Sequence, residues 1–161
     1  MKTYIGSKII NAKPMTRGEY NAFRSWVPPA GEAQDVDGYL VEYPDGGEPN
    51  TAEFSGYVSW TPKPQFDAAY RETSGMSFGL ALEAMKKGKR ATRSVWPLGV
   101  FVYHVPPASY PVQTGAAKEH FGDGAMVPYL AYLAIKRADE TVCVFVPGMD
   151  SVLADDWQII G

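Results

Sequence analysis

Apolar positions along this chain follow two periods, and the sharpest change between them falls between Ser77 and Trp96. Phe78, Ala81, Leu82 and Met85 recur at i, i+3, i+4 and i+7, one face of an amphipathic helix. Ser77 stands where an N-cap accepts a hydrogen bond from a first-turn N–H. Lys86 and Lys87 fall in the last turn beside the carbonyl ends, and Gly88 suits the left-handed conformation that stops a helix. The chain then leaves as Lys89-Arg90-Ala91-Thr92-Arg93, read as a basic turn running to Trp96, with five cations in the eight residues 86–93.

The rest of the pattern predicts an α+β protein made of two small units, each a short antiparallel sheet with one or two helices. In the first, Tyr4-Ile5 and Ile9-Ile10 around Gly6 predict an opening strand with a bend that ends near Pro14. Thr16 with Glu19 three residues on makes a capping box before a short helix carrying Tyr20 and Phe23. Gly38 to Tyr43 and Gly56 to Trp60 read as strands of a hairpin with a long loop, and Thr61-Pro62 starts a helix with Phe66, Ala69 and Tyr70 on one face. Residues 71–75 read as a joint, which divides the chain into domains at 1–75 and 76–161.

In the second unit, residues 99–105 predict a buried strand stopped by Pro106-Pro107. Residues 108–124 read as an insertion-like loop with a helical turn over 116–121, and loops of such length tend to be lids or contact elements. A second hairpin follows over residues 129–146 around Ala138-Asp139-Glu140. Asp150 reads as the cap of one helical turn, and Trp157 to Ile160 as the final strand.

Composition narrows the function classes. The chain has 161 residues, 45% hydrophobic and 20% charged, which is ordinary for a globular protein, and it has no run near the roughly 18 apolar residues of a membrane span. A cytoplasmic location is expected. Net charge is −3, with residues 1–75 acidic and residues 76–161 balanced around a local basic cluster, an argument against long nucleic acids as partners. The single cysteine, Cys143, excludes an intrachain disulfide and reads as an inert buried thiol in the run Val142-Cys-Val-Phe-Val146.

Templates for catalysis and for cofactors are missing. His104 and His120 are the only histidines and have no Cys/His spacing that makes a zinc site. There is no phosphate loop and no nucleophile elbow, and Gly122-Asp-Gly124 is too short for a dinucleotide fingerprint. Adjacent Asp155 and Asp156 point to opposite sides of an extended chain and make no carboxylate pair. What remains are recognition groups. Trp96 offers a ring to a base, Arg90 and Arg93 offer cations to a diphosphate, and Asp150 or Asp156 offers acceptors to ribose hydroxyls or an amine. Each has a structural reading beside it: a solvated basic helix end for the cations, a cap for Asp150, and core packing for Trp157, while the pair Trp26 and Trp60 reads as core or interface packing ahead of a ligand platform.

Two resemblances change these odds. Tyr4-Ile5-Gly6, Met15-Thr-Arg-Gly-Glu-Tyr20, Gly38-Tyr-Leu-Val-Glu-Tyr43 and Tyr57-Val-Ser-Trp-Thr-Pro62 resemble a small module recurrent in phage proteins of unassigned function. The stretch Met76 to Trp96, Ala134-Ile-Lys136 and Met149-Asp-Ser-Val-Leu-Ala-Asp-Asp-Trp157 resemble the second Thoeris anti-defence family of phages. That resemblance implies a non-catalytic sponge, a homotetramer with pockets between protomers that binds glycocyclic ADP-ribose, or in some members cyclic di- or trinucleotides, inside the infected bacterial cell. It puts Trp96 at the family's aromatic after the basic turn, and Asp150, Asp156 and Trp157 at its C-terminal signature. Many relatives carry a Trp where this chain has Phe145-Val146-Pro147, and residues 1–75 lie outside the minimal family. A signal-degrading enzyme and a protein-binding inhibitor of a host factor are the alternative readings.

Overall fold

A computed structural model describes all residues 1–161, which cluster into two compact units, residues 1–71 and residues 72–161. The architecture is α+β, with short antiparallel sheets in both units.

In the first unit strand β1 (Asn11–Pro14) leads to helix α1 (Arg17–Phe23), strands β2 (Gly38–Tyr43) and β3 (Tyr57–Pro62), and helix α2 (Lys63–Ala69). The opening strand is shorter than expected: regular structure starts only at Asn11, so Tyr4 and Ile5 stand exposed ahead of it. The capping box forms as read. Thr16 Oγ1 accepts from the Glu19 N–H at 3.2 Å, and the Glu19 carboxylate accepts from the Thr16 N–H at 2.7 Å.

β2 is the central strand, between β1 and β3. Its alternation separates two layers. Leu40 and Glu42 lie opposite Trp60 and Val58, and Leu40, Val58 and Tyr20 of α1 form the core on that side. Tyr39 turns the other way and stacks on Phe66 of α2 with centroids 4.0 Å apart. Gly38 is required by its neighbour, since a Cβ there would sit 2.4 Å from the ring of Trp60. Glu42 is the one buried carboxylate of this unit. It accepts from Asn11 Nδ2 at 2.9 Å, Ser55 Oγ at 3.2 Å and the Gly56 N–H at 3.2 Å, and the Asn11 bond is the main cause of its lowered pKa.

The second unit runs α3 (Phe78–Lys86), β4 (Arg90–Arg93), β5 (Phe101–Val105), β6 (Ala108–Pro111), α4 (Gly115–Phe121), β7 (Met126–Tyr129), β8 (Tyr132–Lys136), β9 (Val142–Val144), α5 (Met149–Val152) and β10 (Trp157–Ile160). Five of these strands make one antiparallel sheet in the order β10-β4-β5-β8-β9. The amphipathic period of α3 does what it predicts, burying Ala81 and Met85 against Ala91, Val102 and Trp157. The start of the unit is tied in by the sheet's edge. Met76 and Trp157 exchange both backbone hydrogen bonds at 2.8 and 3.1 Å, and Thr73 accepts from the Ile159 N–H at 2.8 Å.

Four sequence expectations are corrected here. Residues 90–93 form a strand inside the sheet, because both flanks of this segment find partners in β10 and β5. Residues 108–124 are no irregular loop: β6 and β7 pair over four residues, bury Val112 and Val127, and carry α4 at the tip, capped by Thr114. Pro106-Pro107, which cannot donate to a ladder, separate this ribbon from β5. Cys143 is exposed, since β9 is the sheet's margin and its outer side has no strand beside it. The short helix α5 is capped by Gly148, and Asp150 sits in its first turn.

Truncating Leu40, which is 1% exposed, removes the centre of the first core. Leu40→Ala is expected to cost about 2–5 kcal/mol of stability, read as a lowered midpoint in urea unfolding. An unchanged midpoint would show that residues 1–71 do not depend on this core.

Candidate functional site

The expected basic cluster is dispersed by the strand that forms in its place. Gly88, at φ +82°, ends α3 with the N–H of Gly88 donating to the Met85 carbonyl and that of Lys89 to the Ala84 carbonyl. Lys86 pairs along the helix with Glu83 at 2.8 Å. Successive residues of β4 then face opposite sides of the sheet. Arg90 lies against the Phe101 ring, 5.1 Å from its centroid, on the face turned away from α3. Arg93 lies opposite Trp157, on the α3 side. The two arginines do not converge.

Arg93 is the cation around which the remaining groups gather. Its side chain is 12% exposed and its Nε–H donates to Asp156 Oδ1 at 2.8 Å, while Nη1 lies 3.5 Å from Asp150 Oδ2. The other Asp156 oxygen accepts from Ser94 Oγ at 3.0 Å, and the Ser94 N–H donates to the Asp156 carbonyl. The two ion pairs differ in weight. Asp150 is 80% exposed, so its long contact contributes no more than the roughly 0–1 kcal/mol of a surface pair. Asp156, 27% exposed and directly bonded, is the anchor, and Arg93's hydrogen bond is the first cause of its lowered pKa. Asp155 points out to solvent, as adjacent residues of an extended chain require.

An aromatic cluster adjoins this ion group. Trp157 is fully buried and donates its indole N–H to the Ser151 carbonyl at 2.9 Å. Trp96 is held by a turn in which its N–H donates to the Arg93 carbonyl at 3.1 Å. Its ring meets Trp157 edge-on at 5.3 Å and Phe145 edge-on at 5.9 Å, leaving it half-buried. Phe78 also meets Trp157, at 5.4 Å. Trp96 is therefore both a packing element and a partly open ring, joined to Arg93 through the backbone turn. Trp26 and Trp60 belong to the first unit, where Trp60 packs on its core and Trp26 is 54% exposed.

Arg93, Asp150, Asp156, Trp157 and Trp96 thus come together at one end of β4 and β10, and Arg90 does not join them. Ser94 is the member that sequence reading missed. Its partner lies 62 residues away, and a lone serine after an arginine carries no local signal. No group of three or more His, Cys, Asp or Glu side chains is arranged to hold a metal ion, and no helix is long and apolar enough to cross a membrane.

Comparison with known proteins falls on this same unit. Residues 76–160 match the family model described as the Thoeris anti-defense 2-like domain. Thoeris anti-defense 2 of Bacillus phage SP01 is 33% identical over 87 residues, a span covering 53% of this chain and 94% of that protein.

The Arg93–Asp156 bond fixes the sign of an acid effect. A carboxyl whose pKa is lowered on folding stabilises the fold above its unfolded value of about 3.9, and that stabilisation is lost as pH falls through the lower folded value. The acid-side loss of stability below about pH 4 is expected to be shallower in Asp156→Asn than in the parent chain. Superimposable pH profiles in thermal denaturation would remove Asp156 from this role. Trp96→Ala is separately expected to cost about 3–5 kcal/mol at most, and less in proportion to the exposed part of the ring, measured by chemical unfolding.

Proposed function

The chain belongs to the Thoeris anti-defense 2-like family, and on that premise we propose that its second unit binds and sequesters a cyclic nucleotide immune signal without cleaving it. Glycocyclic ADP-ribose is the first ligand of this reading, with cyclic di- and trinucleotides as further members of the same chemical class. The supporting observation is that Arg93 and Trp96 both adjoin Trp157, Arg93 opposite it in the ladder with its guanidinium held by Asp156, and Trp96 edge-on to its ring and half-open. A diphosphate is drawn to the first, and a base packs on the second, a contact worth about 1–3 kcal/mol per base in nucleic-acid sites. The exposed carboxylate of Asp150 is an acceptor for ribose hydroxyls.

The same groups favour holding over hydrolysis. Asp156 is kept ionised by Arg93 and Ser94, so it has no proton to give to a leaving group. The carboxylates beside Arg93 instead fix where its charge sits. Arg90, on the opposite face of the sheet, serves only a ligand that reaches that face. The reading includes a homotetramer acting in the cytoplasm of an infected bacterium. It is supported by the sheet face turned away from α3, where Tyr132, Val142 and Val144 are 39%, 54% and 61% exposed.

Incubation with glycocyclic ADP-ribose, heat denaturation and analysis of the released material tests the central claim: intact ligand is expected, and a hydrolysed product sinks the sponge reading. Trp96→Ala and Arg93→Gln are each expected to weaken binding by about tenfold or more in calorimetric titration, while Arg90→Gln changes it less. Equal affinity in Trp96→Ala and the parent removes the ring from the site. Native mass spectrometry reads the assembly and shows whether the variants retain it.

A further inference from the structure

Every sheet but a closed barrel ends in edges, and all but one of the edges in this chain are blocked. An edge strand presents a row of free N–H and C=O groups that pair with another extended chain unless something prevents it. In the first unit β1 carries Lys13 and Pro14. At β3 the Asn50 side chain takes both backbone groups of Val58, donating to its carbonyl at 2.9 Å and accepting from its N–H at 2.8 Å. In the second unit β10 is covered by Met76 and Thr73, and the strands of the small ribbon carry Pro111 and Pro128. β9, the margin of the five-stranded sheet, has none of these devices, and Val142 to Val146 holds neither a charge nor a proline.

The ladder fixes which groups of β9 are free. The Phe145 N–H donates to the Leu133 carbonyl at 2.7 Å and the Arg137 N–H to the Thr141 carbonyl at 2.9 Å, so residues 141, 143 and 145 turn their backbone groups inward to β8. Those of Val142 and Val144 therefore point outward, and no other segment of the chain bonds to them. Their side chains, more than half exposed, share the sheet face turned away from α3 with Tyr132. Symmetry then selects the partner, because an antiparallel pair of identical strands is its own complement. A two-fold axis at Cys143 sets Val142 opposite Val144 of a second copy, outward groups against outward groups, with Cys143 facing Cys143 as a pair that exchanges no hydrogen bonds. A one-residue slip would set outward groups against inward ones. In the two-fold register Glu140 falls opposite Val146 of the second copy, so no like charges meet.

We infer that β9 is a self-association edge: two copies of this chain pair β9 to β9, antiparallel about Cys143, and join their sheets into one of ten strands. The joined sheet carries the exposed valines and Tyr132 of both copies on one continuous apolar face. The pairing supplies one interface of the proposed homotetramer, which needs a second to close, and it rests on backbone geometry and not on ligand binding. A β9-paired dimer that takes up no cyclic nucleotide therefore fails the sponge reading alone, and a ligand-binding assembly that does not use β9 fails this inference alone.

Analytical ultracentrifugation of the full chain over a concentration series is expected to show a dimer or a multiple of it. Val144→Pro removes one outward donor and leaves the bonds to β8 in place, and Val144→Lys puts a charge at an exposed edge position where the fold tolerates it. Each variant that melts as cooperatively as the parent is expected to weaken self-association by about tenfold or more, while Val27→Lys, at an exposed position of the first unit, leaves it unchanged. Diamide, which takes two electrons and two protons from a pair of thiols, reads the register. The Cα atoms of a pair that exchanges no hydrogen bonds lie about 4.5 Å apart, within the span of a disulfide. Cys143, which is exposed, is therefore expected to cross-link the parent into a covalent dimer at concentrations where Val144→Lys stays uncross-linked. A parent that is monomeric throughout the series, a folded Val144→Lys that associates as the parent does, or an assembled parent whose Cys143 resists cross-linking overturns the inference.

Discussion

Burial of the Trp157 indole is the constraint on which the second unit depends. The side chain is fully enclosed, its N–H reaches the Ser151 carbonyl, and its backbone exchanges two hydrogen bonds with Met76 at the unit's beginning. A tryptophan buries about 150–250 Å². At about 25 cal/mol per Å² that is about 4–6 kcal/mol as an upper figure, well above any single ion pair nearby. One residue thereby joins four pieces of chain: the segment before α3, the turn after β4, the strand end at Phe145 and the short helix α5.

Because that packing places Arg93 opposite Trp157 in the ladder, the charge site is a by-product of the core's register. A slip of one residue in β4 would turn Arg93 to the other face and bring Thr92 or Ser94 in its place. Hydrophobic burial sets the position, and the Asp156 hydrogen bond fixes the guanidinium's direction. The half-exposed ring and the largely buried cation each have partners within the fold. The ring is also available only in part, which limits stacking to one portion of the indole.

The first unit solves a different problem with a different device. Its sheet has three short strands, too few for a large core, and aromatic side chains on both faces compensate. Several of its cations lie over rings, among them Lys13 over Phe54, Arg17 over Trp60 and Arg24 over Trp26. Such contacts keep charges close to an apolar surface. Arg24 differs from Arg17 in having no carboxylate to complete it.

Local pattern alone was enough for the capping box at Thr16, the α3 face, the two hairpins and the placing of Trp157 in the core, since each rests on neighbours within a few residues or on one dominant side chain. The family could also be read there, because its motifs are contiguous stretches and the matching span begins at Met76. Contacts between distant segments decided the rest. Residues 86–93 look like one basic cluster in the linear chain, but pairing with β10 and β5 made a strand of residues 90–93 and sent Arg90 and Arg93 to opposite faces. Cys143 has the neighbours of a buried residue and the position of an edge. Ser94 and Asp156 are 62 residues apart, and Tyr20 and Asn50 reach the same Val58 carbonyl from different segments. Helical period and caps act over three or four residues, whereas strand partners are chosen by the whole core. The sequence therefore determined which groups this protein has for binding, and only the tertiary structure decided which of them stand together.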